Sequence, residues 1–271
     1  MAYAAGLDIG SKSTKLVFLG QDGIAGHYVI PTGANSGKAG EQIMELGLAD
    51  IQLVPDDIAF LVATGYGRHS VESAKKVSEI SCQGKGIRSL FPEAEVIIDI
   101  GGQDFKVIKL KKEGTILSFA MNDKCAAGTG RYLELMAGIF DMNLDTFSEA
   151  GDTTSDGEEI SSVCTVFAET EVINHISRGA EEKEIISGIF TAVSKRVYSL
   201  AQRFIGDATS VVFTGGVAMN IGVAKALERV SGCTILTPRE PQITAALGAA
   251  RIAREQISEL SGVGRLENTH S

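Results

Sequence analysis

Asp8-Ile9-Gly10 ends the first apolar stretch of the chain, and the same three residues recur as Asp99-Ile100-Gly101. In both places a glycine-containing turn follows the apolar stretch and a second apolar stretch follows the turn, as in a β-hairpin. Around both copies the pattern predicts three strands, a helix, a strand and a helix. We therefore predict an α/β fold that arose by internal duplication.

The predicted elements divide between the two copies. For the first copy we predict strands at residues 3–9, 14–19, 24–30 and 58–63, a helix at 36–48, and helical stretches from the end of the last of these strands to about residue 90. For the second we predict strands at 96–100, 105–110, 115–121, 210–213 and 233–236, and helices near 128–140, 164–178, 182–205, from 217 and at 242–257. We place a first lobe at residues 1–97, to which the helix 242–257 returns, and a second lobe at residues 98–240.

The composition excludes several classes of protein. The 271 residues include 25 Lys and Arg against 34 Asp and Glu, and the net charge of -9 disfavours binding to nucleic acid or to a membrane surface. No apolar run approaches the ~20 residues that cross a bilayer, and the first residues lack the basic region of a signal peptide. We expect a cytoplasmic protein. The cysteines at 82, 125, 164 and 233 contain no Cys-x-x-Cys pair, which excludes a zinc ribbon.

The two turns have the character of phosphate loops, because glycine lets backbone N–H groups approach phosphate oxygens closely. We expect Asp8 and Asp99 to face each other across a cleft and to hold Mg²⁺ through water. Gln103 either orients the attacking water or only hydrogen-bonds to its turn. The first loop comprises Gly10, Ser11, Lys12, Ser13, Thr14 and Lys15, and the second contains Gly101 and Gly102.

A third glycine turn follows the predicted strand at 210–213. Gly215, Gly216 and Val217 form a strand-to-helix turn on which a nucleoside can lie flat against the backbone. The order of the three turns resembles the phosphate 1, phosphate 2 and adenosine motifs of the actin and sugar-kinase superfamily. That resemblance implies two ribonuclease-H-like lobes and ATP binding. The chain contains neither a P-loop nor a Rossmann fingerprint.

The segments 122–132 and 164–171, which contain Cys125 and Cys164, closely resemble the activator proteins of 2-hydroxyacyl-CoA dehydratases. That family includes the ATP-binding subunits of benzoyl-CoA reductases. The resemblance also includes residues 63–68, 99–104 and 245–250, and it extends over roughly residues 5–255.

This resemblance implies an oxygen-sensitive homodimer with one [4Fe-4S] cluster at the subunit interface, ligated by Cys125 and Cys164 of each subunit. It also implies that ATP hydrolysis drives transfer of one electron to a partner dehydratase, with a reduced ferredoxin or flavodoxin as the electron donor. We also assign Gly128, Thr129 and Gly130, in the first cysteine segment, to nucleotide binding.

The positions of the cysteines are compatible with this implication. Each precedes a predicted helix, one starting near 126–128 and one near 165, and a helix N-terminus lowers a thiol pKa and stabilises an anionic cluster. We expect the remaining thiols to be buried, the glutamates after Cys164 to be surface charges and the histidine of that helix to be a packing residue. These residues are Cys82, Cys233, Glu169, Glu171 and His175.

One position departs from the family pattern, and two other functions remain open. Lys12 stands where the family commonly has a small hydroxyl residue, and it either binds phosphate or points to solvent.

Within the family, the alternative function is that of an ATP-binding subunit of a benzoyl-CoA-type reductase. Outside it, the alternative is a small-molecule kinase, which needs a carboxylate as general base and for which Asp104 is the candidate. A chaperone ATPase would need a peptide-binding module, for which 271 residues leave no room.

Overall fold

Two five-stranded sheets form the framework of the described chain. The computed structural model describes residues 2–122, 125–151, 153–161, 165–206 and 208–267, with side chains as far as residue 260. The chain separates into two compact units, one formed by Met1–Pro92 with Gln242–Ser271 and the other by Glu93–Pro241. The predicted boundary between residues 97 and 98 falls inside a central strand of the second unit, so the observed boundary lies earlier.

The strands in chain order are β1 (Tyr3–Ile9), β2 (Ser13–Gly20), β3 (Gly23–Pro31), β4 (Ile58–Thr64), β5 (Lys75–Lys76), β6 (Val96–Ile100), β7 (Phe105–Leu110), β8 (Ile116–Asn122), β9 (Val211–Thr214) and β10 (Ile235–Leu236). The α-helices are α1 (Ser36–Asp50), α2 (Glu79–Leu90), α3 (Gly130–Ile139), α4 (Leu144–Ala150), α5 (Thr165–Ser177), α6 (Glu182–Ile205), α7 (Ile221–Ser231) and α8 (Thr244–Glu267). Short 3₁₀ turns occupy Pro55–Asp57, Gly216–Met219 and Pro241–Ile243. None of the helices in the described ranges is long and apolar enough to cross a membrane.

The first unit has helices on both faces of a sheet with the strand order β3-β2-β1-β4-β5. Successive side chains of a strand point to opposite faces, and in β1 one set packs with α1 whereas the other packs with α8. The C-terminal helix crosses β1 so closely that a Cβ on Gly6 would lie 2.1 Å from the carbonyl oxygen of Ala246. A glycine in the strand is therefore a condition of this crossing.

Two further glycines bring α2 and α8 together. A Cβ on Gly86 would lie 1.9 Å from the carbonyl oxygen of Thr244, and a Cβ on Gly248 would lie 1.7 Å from that of Cys82. Since real Cβ atoms do not approach backbone so closely, the two helix backbones are in direct contact at these points.

The second unit has the strand order β10-β9-β6-β7-β8, with β6 parallel to β9 and antiparallel to β7. Its core combines alternate residues of β6 with side chains from α3, α4, α5, α6 and α7. The two sheets share one pattern, three antiparallel strands followed by a parallel strand beside the first, as the duplication predicts.

The structure differs from the prediction between β4 and α2 and around the shorter helices. Residues 65–78 form turns and β5 instead of a helix, because Gly65 has a positive φ of 82° and Gly67 packs directly under Ile9. The seven-residue helix α4 was not predicted, and a helix predicted from residue 217 begins as a 3₁₀ turn that precedes α7. Such short elements depend on tertiary contacts more than on periodicity.

Candidate functional site

Three neighbouring strands of the first unit bring Lys15, Asp8 and Thr64 into one row. The strand registers pair Asp8 with Lys15 on β2 and with Thr64 on β4. The Nζ atom of Lys15 lies 3.1 Å from Oδ2 of Asp8, and Asp8 is only 3% exposed. Its other oxygen, Oδ1, is buried with no hydrogen-bond partner among the described residues.

Gly65, which follows Thr64, leaves space beside that oxygen. A Cβ on Gly65 would lie 2.4 Å from Oδ1 of Asp8, so a side chain there would fill the position that a ligand of the carboxylate needs. Buried polar atoms usually have a partner, and hard cations such as Mg²⁺ take oxygen ligands directly or through water. The unpartnered oxygen and the open space beside it therefore fit a hydrated Mg²⁺.

The second unit repeats the row with Lys106, Asp99 and Thr214. Registers pair Asp99 with Lys106 on β7 and with Thr214 on β9, and a Cβ on Gly215 would lie 2.5 Å from Oδ1 of Asp99. Sequence reasoning missed Lys106 and both threonines. The signal was present, because each aspartate precedes a lysine by seven positions and each row ends in a Thr-Gly pair.

The two rows differ in charge. Lys106 is 4% exposed and its Nζ lies 3.9 Å from Asp99 Oδ2 and 3.1 Å from Asp104 Oδ2. The position that corresponds to Asp104 in the first copy is Ser13. Both oxygens of Asp104 lie 3.1 Å from the lysine, so this carboxylate is held in an ion pair, whereas a general base needs an oxygen free to accept a substrate proton.

The turn that contains Gly10 is supported by the hydroxyl groups of two buried threonines. The N–H of Gly10 donates to the carbonyl oxygen of Ser13 at 3.0 Å. Thr14 is fully buried, and its hydroxyl lies 2.9 Å from that of Thr32, which donates to the carbonyl oxygen of Gly10. The Thr14 side chain thus supports the loop instead of extending from it. Lys12 is exposed on the turn, beside the equally exposed Ser11.

The diglycine turn of the second unit is hydrogen-bonded to the start of α3. The backbone N–H groups of Gly130 and Arg131 donate to the carbonyl oxygens of Gly101 and Gly102, both at 2.9 Å. A Cβ on Gly130 would lie 3.5 Å from Cγ2 of Val217. The structure therefore brings together members of three predicted nucleotide segments.

Three other residues predicted to bind nucleotide or to act in catalysis either shape a turn or are exposed to solvent. Gly128 has a positive φ of 87°, and the buried hydroxyl of Thr129 donates to the carbonyl oxygen of Ala126 at 2.6 Å. These two residues shape the turn that precedes α3. Gln103 is exposed at the tip of its turn.

The cysteines lie in different environments. Cys125 is partly buried, five positions before the first residue of α3. The helix starts later than predicted, so Cys125 does not lie at its N-terminus, and the N–H groups of the first two residues of α3 are bonded to the diglycine turn. Cys164 lies outside the described residues. Within the described part of the chain, no group of three or more His, Cys, Asp or Glu residues is arranged to hold a metal ion.

Cys82 is fully buried, as predicted, whereas Cys233 is only partly buried and donates to the carbonyl oxygen of Ser231. Burial raises the pKa of the Cys82 thiol from 9.0 to about 12, and the negative charges of Asp8 and Glu79 add to this, although a hydrogen bond with Thr64 opposes it. A metal ligand must be a thiolate. Cys82 is therefore a poor candidate for ligation.

Alkylation of iron-free folded protein at about pH 8 is expected to modify Cys125 and to leave Cys82 unmodified, as measured by mass spectrometry of peptides. In urea both should react. Because the folded-state pKa of Cys82 lies above 9.0, this thiol also makes folding stability fall as pH rises from 9.0 to about 12. Equal labelling of the two thiols in the folded protein would contradict the burial argument.

The segment that precedes Cys164 is held by side chains of α5. The carboxylate of Glu171 accepts a hydrogen bond from the backbone N–H of Ser161. His175 Nδ1 lies 3.2 Å from Glu158 Oε2, and its Nε2 lies 3.2 Å from the carbonyl oxygen of Glu159. The prediction that Glu171 is only a surface charge is therefore wrong, because its carboxylate binds the backbone of Ser161, which precedes α5 in the chain.

Comparison with known proteins identifies relatives over nearly the whole chain. The 2-hydroxyisocaproyl-CoA dehydratase activator of Clostridioides difficile is 44% identical over 95% of this chain and 97% of its own length. The activator of lactoyl-CoA dehydratase of Anaerotignum propionicum is 45% identical over 93% of this chain and 98% of its own. A subunit of the benzoyl-CoA reductase of Thauera aromatica is 27% identical over 84% of this chain and 82% of its own.

Solved structures agree with the sequence relatives. The activator of the 2-hydroxyisocaproyl-CoA dehydratase from Clostridium difficile, with bound ADPNP, has a TM-score of 0.89 and 42% identity and covers 96% of this chain and 97% of its own. A ROK family glucokinase from Streptomyces griseus has a TM-score of 0.55 at 12% identity over 94% of this chain and 100% of its own, which concerns the fold alone. These likenesses confirm the predicted two-lobed α/β fold class.

The family resemblance inferred from the cysteine segments is also confirmed. The sequence profile of the BadF/BadG/BcrA/BcrD ATPase family matches residues 5–253. That range contains both Lys-Asp-Thr rows, all three glycine turns and both cysteine segments. The chain belongs to the BadF/BadG/BcrA/BcrD ATPase family.

Proposed function

We propose that this protein is an ATP-dependent activator of a 2-hydroxyacyl-CoA dehydratase, to which it donates single electrons from a [4Fe-4S] cluster. In this proposal Cys125 and Cys164 of each subunit of a homodimer ligate one shared cluster, and Asp8 and Asp99 hold the Mg²⁺ of bound ATP or ADP. A reduced ferredoxin or flavodoxin supplies the electrons. The protein acts in the cytoplasm, where thiols stay reduced.

In this proposal the three glycine turns bind the nucleotide. Gln103 orients the attacking water, and Lys12, exposed on its turn, contacts a phosphate. The groups assigned to the nucleotide are those of Gly10, Ser11, Lys12, Ser13, Lys15, Gly101, Gly102, Gly130, Gly215, Gly216 and Val217. Thr14, Gly128 and Thr129 brace these turns from behind.

The observation that carries the proposal is the pair of hydrogen bonds between α3 and the diglycine turn. Gly130 and Arg131 donate to Gly101 and Gly102, only a few residues after Cys125. A change at the turn must therefore displace the start of α3 and the cysteine segment with it, because the bonds join the two backbones directly. The names of the relatives at 44% and 45% identity support the same assignment.

The donor set also suits a cluster. Cys125 is a partly exposed thiol in a loop, whereas Cys82 is buried and its pKa is raised. Of these two thiols, Cys125 is therefore the better candidate for a cluster ligand. When bound, the cluster supplies one electron at low potential. The chain's own part is to bind nucleotide, hold Mg²⁺ and position the cysteine segments.

Iron analysis of anaerobically purified protein tests this assignment. Because a [4Fe-4S] cluster takes four thiolates, sharing between two chains predicts about two irons per chain. Cys125→Ser and Cys164→Ser are expected to lose the iron and much of the dimer, whereas Cys82→Ser and Cys233→Ser, as matched controls, should keep both. About four irons on a monomeric chain, or loss of iron in a control variant, would reject the shared cluster.

Two alternatives are weaker. A role within a benzoyl-CoA reductase is favoured by a relative at 27% identity, well below the 44% and 45% of the two activators, and the partner that co-purifies under anaerobic conditions distinguishes the two roles. A small-molecule kinase needs a general base, and Asp104 is held by Lys106 through both oxygens. A phosphorylated product formed from ATP and a small sugar or acid would favour the kinase.

A further inference from the structure

The helix α7 continues directly from the third glycine turn. A 3₁₀ turn at Gly216–Met219 leads through Asn220 into α7, and the buried side chain of Asn220 caps the helix by accepting from the N–H of Val223 at 2.9 Å. With no flexible linker between turn and helix, a displacement of the turn must move the helix.

Residues 148–151 and 153–161, here called the entry segment, lie along α7 and precede Cys164 in the chain. The buried hydroxyl of Ser148 accepts from the N–H of Ile221, the first residue of α7, at 2.9 Å. Near the other end, Arg229 bonds to residues 153–156. Since eight residues of helix span about 12 Å, the entry segment is attached to α7 at two separated points.

The second attachment uses the whole guanidinium group of Arg229. Its Nη2 donates to the carbonyl oxygen of Ser155 at 2.7 Å, its Nη1 donates to that of Thr153, and its Nε lies 3.3 Å from Oδ1 of Asp156. Carbonyl oxygens only accept, and a planar fork of N–H donors reaches three acceptors that a lysine ammonium group does not match. Arg229 therefore fixes the backbone of the entry segment, where a single ion pair would fix only one side chain.

Beyond Asp156 the entry segment is held against α6 and α5. A Cβ on Gly188 in α6 would lie 2.0 Å from the carbonyl oxygen of Glu158, so the two backbones are in contact. Glu171 and His175 of α5 then bind Ser161 and Glu158 as described above. Ser161 is three positions before Cys164, and α5 begins immediately after that cysteine.

We propose that Arg229 is a positioning residue that couples the third glycine turn to Cys164 by fastening the entry segment to α7. The inference rests on the proposed function, because it assumes that the turn binds nucleotide and that Cys164 ligates the cluster. It adds a specific route: nucleotide binding shifts the turn and α7, and Arg229 carries with them the entry segment, which precedes Cys164 in the chain.

The test compares Arg229→Lys with Lys225→Gln in full-length protein that carries its iron. Lys225 lies one turn earlier on α7 and contacts Glu228, so its variant is a control on the same helix. The readout is the rate at which a chelator removes iron, with and without Mg-ATP, together with the melting temperature. We expect Arg229→Lys to retain iron, ATP binding and basal hydrolysis but to reduce the nucleotide effect on iron release about tenfold, a usual size for coupling between sites. Lys225→Gln should behave as wild type.

An unchanged nucleotide effect in Arg229→Lys, or an equal loss in Lys225→Gln, would overturn the inference. A lower melting temperature with an intact nucleotide effect would assign Arg229 a purely structural role and overturn it as well. If Arg229→Lys does not fold, Ser148→Ala removes the other attachment and must also weaken the effect. Wild-type protein without iron would instead overturn the proposed function, and the inference with it.

Discussion

Replacement of Asp8 with asparagine is expected to lower ATP turnover by about two to three orders of magnitude. The carboxylate is 3% exposed, and its Oδ1 has no partner among the described residues. An asparagine oxygen in its place carries no charge with which to hold Mg²⁺ or its waters. Asp99→Asn should have an effect of similar size, because the row in the second unit repeats the arrangement. Turnover is measured as phosphate release under saturating Mg-ATP.

Loss of activity through misfolding is distinguishable in the same experiment. Asp8→Asn leaves the partly buried Lys15 without its counter-charge, which is itself destabilising. The double variant Asp8→Asn, Lys15→Met removes the uncompensated charge and should recover stability without recovering turnover. Asp22→Asn, at the exposed β2–β3 turn, is the surface control and should be unaffected. Turnover within about tenfold of wild type in both Asp8→Asn and Asp99→Asn would defeat the assignment of these carboxylates.

Gly248→Ala is expected to destabilise the protein by about 3 kcal/mol or more, which is a large part of the stability of an ordinary domain. The added methyl group would lie 1.7 Å from the carbonyl oxygen of Cys82, so α8 must move away from α2. Gly86→Ala introduces the corresponding clash from the other helix. The free energy of unfolding is measured by urea denaturation followed by circular dichroism.

Gly138→Ala in α3 is the matched control, because the same substitution there meets nothing within 4 Å. Alanine favours a helix over glycine by up to about 1 kcal/mol, so this variant should be as stable as wild type or slightly more stable. A denaturation midpoint of Gly248→Ala equal to that of wild type would show that the helices are not in backbone contact at this position.

Much of the fold could be predicted because the relevant signals are local. Alternating or continuous apolar runs ended by Asp-Ile-Gly marked β1 and β6 with their observed bounds, and the repeated tripeptide indicated the duplication. The two Lys-Asp-Thr rows were also within reach, since the distance from each aspartate to its lysine is the same in both copies. That the lysine and the threonine lie beside the aspartate depends on the strand registers, which the turns alone do not indicate.

The remaining features depend on contacts between distant residues. No periodicity indicates that Glu171 reaches back to Ser161, or that Arg229 binds carbonyl oxygens about 75 positions away, since both contacts arise from tertiary packing. The late start of α3 has the same origin, because its first N–H groups find acceptors in the turn at Gly101 and Gly102. The cysteine segments were recognised through resemblance, which carried no information about these anchors.

The crossing of β1 by α8 has a consequence for the order in which the chain acquires its structure during synthesis. The face of the first sheet that carries Ala4, Val17 and Val62 packs against α8, which leaves the ribosome after the whole second unit. The unit Glu93–Pro241 is continuous and can complete its core as soon as it emerges. The first sheet, in contrast, keeps one apolar face exposed to water until α8 has been synthesised. Nascent chains expose such surfaces to aggregation and to chaperones. The first sheet is therefore synthesised before the second unit and completed after it.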